Sequence, residues 1–144
     1  MKSYNTLIKL SKQQLDAKRR ELTEILDKKE SFLNKVKFLE EELRSEFKLI
    51  SANNNIPPEI KSQFLAYANG VLSKQSDLMR EAEKLNPEIN KLNEEIFVLF
   101  TEMKKIEIYR DNKIQEIEEL SNKKNQLELD EVAINSFIRN QKFF

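Results

Sequence analysis

Twenty-five carboxylates are the groups on this chain best equipped to do chemistry. Paired, they could bind a cation or divide acid and base roles, but both uses need a low-dielectric pocket that drives two carboxyl pKa values apart. The acids here are scattered over solvent-facing helix positions among 25 lysines and arginines, so no such pocket is expected. A helix-bundle di-iron site calls for Glu-x-x-His, and the chain has no histidine. That absence also removes the commonest general base and transition-metal ligand. Without cysteine there is no thiol nucleophile, thiolate metal site or disulfide, and one glycine cannot build a phosphate-cradling loop. The basic clusters Lys18-Arg19-Arg20 and Lys123-Lys124 are flanked by acids and lack interleaved aromatics; the net charge is zero. Neither nucleic acid nor an anionic membrane surface has a field to hold it. The expectation is a protein without catalysis, cofactor, metal or nucleic-acid partner.

What remains is binding through apolar surface. Phe47, Phe64 and Tyr67 bracket the asparagine-rich stretch Asn53-Asn54-Asn55. Leu43, Phe47, Ile50, Phe64, Ala68 and Val71 give this region more apolar surface than the end of a two-helix structure needs. Short helices that bury one another would account for it; so would a docking patch for a partner. Phe97, Phe100 and Tyr109 lie off the main apolar stripe, facing either a third element or a partner.

The elements that must carry these residues are helices. Charged residues make up 35% of the chain and hydrophobic ones 39%, thin for a compact globule but apt for an elongated helical protein. Apolar side chains recur at alternating steps of four and three. One series is Ile8, Leu15, Leu22, Lys29, Val36, Leu43, Ile50; its partner is Tyr4, Ser11, Lys18, Ile25, Phe32, Leu39, Glu46. In the second half one series runs from Phe64 through Val71, Leu78, Leu85, Leu92, Leu99 and Ile106 to Lys113, Leu120, Leu127 and Ile134. The other runs from Ala68 through Gln75, Ala82, Ile89, Ile96, Met103 and Arg110 to Ile117, Lys124, Glu131 and Ile138. A seven-residue repeat held this long imposes a left-handed coiled coil. The fold class expected is all-α: a long antiparallel two-helix coiled-coil hairpin with a short helical tip.

The breaks set the boundaries. Residues 51–58 interrupt the pattern, and Pro58 is placed to open a helix. Asn86-Pro87 reads either as an N-cap and first helical position or as a kink in a continuous helix. The chain is read as one elongated domain over residues 1–144: a long helix over about 3–50, a tip over about 51–86 turning near Gly70, and a long helix over about 87–141. Pairing with residue numbers summing to about 142 sets Ile8 against Ile134, Leu22 against Leu120 and Lys29 against Lys113.

These residues resemble the FliJ family, the coiled-coil component of the flagellar type III export apparatus, over nearly the whole length. The similarity rests on size, the hairpin pattern and the tip segment. It also rests on Leu15-Asp16-Ala17-Lys18-Arg19-Arg20-Glu21 and on Leu127-Glu128-Leu129-Asp130-Glu131-Val132-Ala133. The resemblance implies a non-enzymatic stalk and chaperone protein. Its open end, with both termini, would enter the hexameric export ATPase, its tip would contact the cytoplasmic part of the export gate membrane protein, and it would also bind export chaperones. Carried onto this chain, the gate-facing pattern falls on Phe64, Ala68, Val71 and Gln75, with Leu43 and Phe47 on the facing helix. Phe64→Asp with Val71→Asp would then abolish gate binding and leave the hairpin helical. The end Lys142-Phe143-Phe144 departs from the charged tail expected of the family.

The longest strongly apolar run, Ile96–Phe100, has five residues, against roughly 20 needed to cross a bilayer. The expected location is the cytoplasm, peripheral to the inner membrane at the flagellar base, with no direct membrane insertion. The rival readings are the equivalent stalk of a virulence type III secretion system, a prefoldin-like holdase and a generic coiled-coil tether.

Overall fold

The computed structural model describes residues 1–142; the aromatic end Phe143-Phe144 noted above lies outside them. Three helices account for nearly all of the described chain: α1 (Lys2–Ser51), α2 (Pro58–Glu83) and α3 (Asn86–Lys142). The class is all-α, with no strand among the described residues. The chain divides into two units: Leu15–Val98, and Met1–Gln14 with the segment from Leu99 onward.

α1 contains neither proline nor glycine, so nothing interrupts its 50 residues. It ends where the Ala52 and Asn53 amides donate to the carbonyls of Lys48 and Ile50, at 3.1 and 3.3 Å. Six residues later α2 opens as expected on Pro58, whose missing N–H costs nothing in a first turn. Pro57 holds the N-cap position in an extended conformation, and its carbonyl accepts from the Ile60 and Lys61 amides. Acidic Glu59 in that first turn meets the positive end of the helix dipole.

The chain therefore reverses at residues 52–57 and not near Gly70, which lies inside α2 with no positive φ. The joint between α2 and α3 settles the question of Pro87. Lys84 keeps right-handed helical angles (φ −60°, ψ −21°). Helical hydrogen bonds run on from the Lys84 amide to Arg80 and from the Ile89 amide to Leu85, both 3.0 Å. The proline disturbs a helical path without reversing it. Asn86 is not a side-chain cap, because its Oδ1 accepts from Lys29 Nζ across the helix pair at 2.8 Å.

The heptad reading of α1 holds residue by residue. Of its fourteen seam positions only Glu46 is exposed; Leu15 is buried to 1% exposure and the rest are half-buried. In the second half Val71, Gln75, Ala82, Ile89, Leu92 and Met103 are buried, and every other seam position from Phe64 to Arg110 is half-buried. From Asp111 to Gln141 every residue is exposed.

The register differs from the expected one. In the unit Leu15–Val98, Lys18 Nζ meets Glu95 Oε2 at 3.0 Å, and Lys29 meets Asn86. There too the Gln75 amide nitrogen donates to Val36 O at 3.1 Å and to Glu40 Oε2 at 3.0 Å. Partner numbers in that unit sum to 111–115. In the other unit Arg110 donates to Asn5 Oδ1 at 3.0 Å, a sum of 115. The expected sum near 142 is too large by about 28 residues, or four heptads, so hydrophobic phase is preserved while every partner changes. The short turn at 52–57 is the cause. It brings α2 straight back along the end of α1, leaving no separate tip.

Four polar seam residues, Lys18, Lys29, Gln75 and Arg110, thus each find a partner on the facing helix within their unit. A polar group inside an apolar seam penalises any register in which its partner is missing. The hydrogen bond to Glu95, and then the charge of Glu21, raise the Lys18 pKa above its ordinary 10.5.

Candidate functional site

The surfaces with unspent apolar area lie at the reversal and along the second half of α3. At the reversal, the Phe47 and Phe64 rings pack tilted, 6.1 Å between centroids. A depression of about 310 Å³ opens beside them, lined by Phe47, Ile50, Ile56, Phe64, Leu65 and the stem of Lys61. A second, of about 350 Å³, is lined by Glu46, Ile50, Ile60, Gln63, Phe64 and Tyr67. Ile50 and Phe64 form the ridge between them. Phe47 is 57% exposed and Leu65 60%, so two large apolar groups stand in water at one edge of an apolar hollow. Covering a side chain of this size yields about 1.5–3 kcal/mol, enough for a few of them to anchor a partner.

The six residues singled out from sequence separate into two sets. Phe47 is exposed, Leu43, Phe64 and Ala68 are half-buried, and Val71 and Gln75 are buried. Val71, 6% exposed, and Gln75, 7%, hold α2 against α1 and present almost no surface. Val71→Asp would bury an unpaired carboxylate in the helix pair, so the substitution pair considered above would attack the fold as well as the surface. Leu65, Ile56 and Ile60 complete the hollow yet lie off both heptad series. Their signal was available: they are large apolar residues flanking a turn at positions the seam does not use.

On α3 the seam continues in phase through Ile117, Leu120, Leu127, Ile134 and Ile138, which are 46–69% exposed. α1 begins at Lys2, opposite the start of this stretch, and no described residue covers it. Tyr109 and Phe97 also face outward, at 65% and 70% exposure. Phe100 carries Lys104 Nζ 5.5 Å above its ring.

Among the described residues no group of acids is placed to hold a metal ion, and no helix is long and apolar enough to cross a membrane. Both surfaces offer apolar side chains in a charged surround, the features that protein interfaces use.

A family model described as "Flagellar FliJ protein" matches residues 1–142. Comparison with curated proteins finds no match, and neither does comparison with solved structures.

Proposed function

We propose a function from one premise: the chain belongs to the FliJ family, whose model spans residues 1–142. It acts as a non-enzymatic stalk and chaperone protein of flagellar export. The unit holding Met1–Gln14 and the segment from Leu99 onward engages the hexameric export ATPase, the reversal at 52–57 engages the cytoplasmic part of the export gate membrane protein, and export chaperones bind as cargo. It works at the inner membrane from the cytoplasmic side, and residues 1–144 serve as one functional domain.

The observation that carries the reading is the distribution of unspent apolar surface. The reversal presents Phe47, Leu65 and the hollow beside Phe64, and the second half of α3 presents an uncovered seam. A protein that binds one partner at each of two places needs such surfaces and no catalytic pocket. For the gate contact, the working residues are Phe47, Phe64 and Leu65, with half-buried Leu43 and Ala68 further along the same helices. Val71 and Gln75 act beneath them by holding α2 in place.

The test is a titration against the cytoplasmic fragment of the export gate. Phe47→Asp with Leu65→Asp places two charges on exposed positions, leaves helix content intact and weakens binding more than tenfold. Unchanged affinity with the helices intact would remove the reversal from the gate contact. An affinity pull-down from the source cells tests the premise of export more broadly: recovery of the export ATPase or gate supports it, and recovery of unfolded clients alone favours a holdase.

A further inference from the structure

The uncovered seam of α3 has a shape and charge pattern that name an occupant. Seam positions Lys113, Ile117, Leu120, Lys124, Leu127, Glu131, Ile134 and Ile138 span nearly four heptads, within the length that sustains a coiled coil. Every one is exposed, whereas the same two series are buried or half-buried from Phe64 to Arg110. Most helical stability in proteins comes from tertiary packing of an amphipathic face, so this stretch gains from any helix that continues the seam.

We propose that the partner is a second copy of this chain, joined antiparallel through residues 113–138 with facing residue numbers summing to about 251. In that register Ile117 faces Ile134 of the second copy, and Lys124 faces its Leu127. Charge selects the arrangement. A parallel, in-register pair would stack Lys113 on Lys113, Lys124 on Lys124 and Glu131 on Glu131, three like-charge layers inside the seam. The antiparallel register sets Lys124 against Leu127, Glu131 against Leu120 and Lys113 against Ile138, each with its ammonium or carboxylate free to reach water. At the flanking positions it brings Lys123 opposite Asp130 of the second copy, and by symmetry does so twice. Sliding the helices one heptad either way puts Asp130 opposite Asp130 or Lys123 opposite Lys123. The seam used is the direct continuation of the one that α1 occupies further back on α3, so the same knobs-into-holes geometry serves both.

This inference does not rest on the export reading, because it concerns the chain alone. A partner that engages this stretch of α3 would have to displace the second copy.

The full-length chain, which has no native cysteine to interfere, is the test material. Light scattering across a concentration series reads a dimer that dissociates on dilution. Leu120→Ser with Leu127→Ser abolishes it and leaves the Leu15–Val98 unit folded. Lys123→Asp weakens it at least about twofold, since two exposed ion pairs become repulsive, and adding Asp130→Lys restores it. Under oxidising conditions, Ile117→Cys chains mixed with Ile134→Cys chains cross-link to each other, and Ile117→Cys chains alone do not. A monomer at every concentration overturns the proposal. So does efficient cross-linking of Ile117→Cys to itself, which would mean a parallel pair.

Discussion

The bond between Lys29 and Asn86 offers the sharpest probe of register, because the two possible pairings give Lys29 different neighbours. Lys29 Nζ donates to Asn86 Oδ1 at 2.8 Å in a part-buried setting. A hydrogen bond to a charged group contributes about 1.5–3 kcal/mol when desolvated, and the remaining water access here lowers that to about 1 kcal/mol. Single substitutions would not isolate it. Lys29→Met loses the bond but places an apolar side chain in the seam, and Asn86→Ala alters the first turn of α3. A double-mutant cycle cancels both side effects. Unfolding in urea, followed by far-ultraviolet circular dichroism, should give an interaction energy of about 1 kcal/mol, close to fivefold in the unfolding constant. The companion cycle between Lys29 and Lys113 should be additive, within about 0.3–0.5 kcal/mol. Coupling to Lys113 and none to Asn86 would refute the observed register and reinstate the longer pairing.

Other perturbations should sort by burial. Leu15→Ala, at the most deeply buried side chain, should cost about 2–5 kcal/mol by the same urea assay. Gln75→Leu should be neutral within about 1 kcal/mol: Val36 O and Glu40 Oε2 lose a donor, but Glu40 stays about half exposed and keeps its water. Gly70→Ala should raise stability by about 0.5–1 kcal/mol, since a Cβ there meets nothing within 4 Å and the helix no longer bears the entropy of glycine. For Lys18 the folded pKa is raised, so its contribution is fully present below 10.5 and is lost as pH climbs through the higher folded value. The stability difference between the parent chain and Lys18→Met should therefore shrink in alkali; a difference flat with pH would remove the Glu95 pairing from the stability of the fold.

Much of this molecule was legible before any coordinates. The all-α class and the identity of the seam residues followed from periodicity, and in α1 they agree with burial at all positions but Glu46. Pro58 announced the start of α2 for a reason confined to its own ring and missing N–H. The family resemblance likewise drew on pattern along the whole chain. Of the candidate site residues, Phe47 and Phe64 lie beside the turn as their positions suggested, with Phe47 exposed, whereas tertiary pairing conceals Val71 and Gln75.

The sequence by itself determined which face of each helix is apolar, since that depends only on the 3.5-residue seam period and the order of side chains. It could not by itself determine which stretch of helix covers which, because displacing a heptad pattern by whole heptads leaves its apolar match almost unchanged. Only the tertiary structure decided that, through the six-residue reversal at 52–57 and the polar contacts Lys18–Glu95, Lys29–Asn86, Gln75–Glu40 and Arg110–Asn5. Those contacts act over a few ångströms between residues distant in sequence, so they become visible only when the helices are side by side. From that one choice of register comes the exposure of residues 111–141, and with it the uncovered seam of α3.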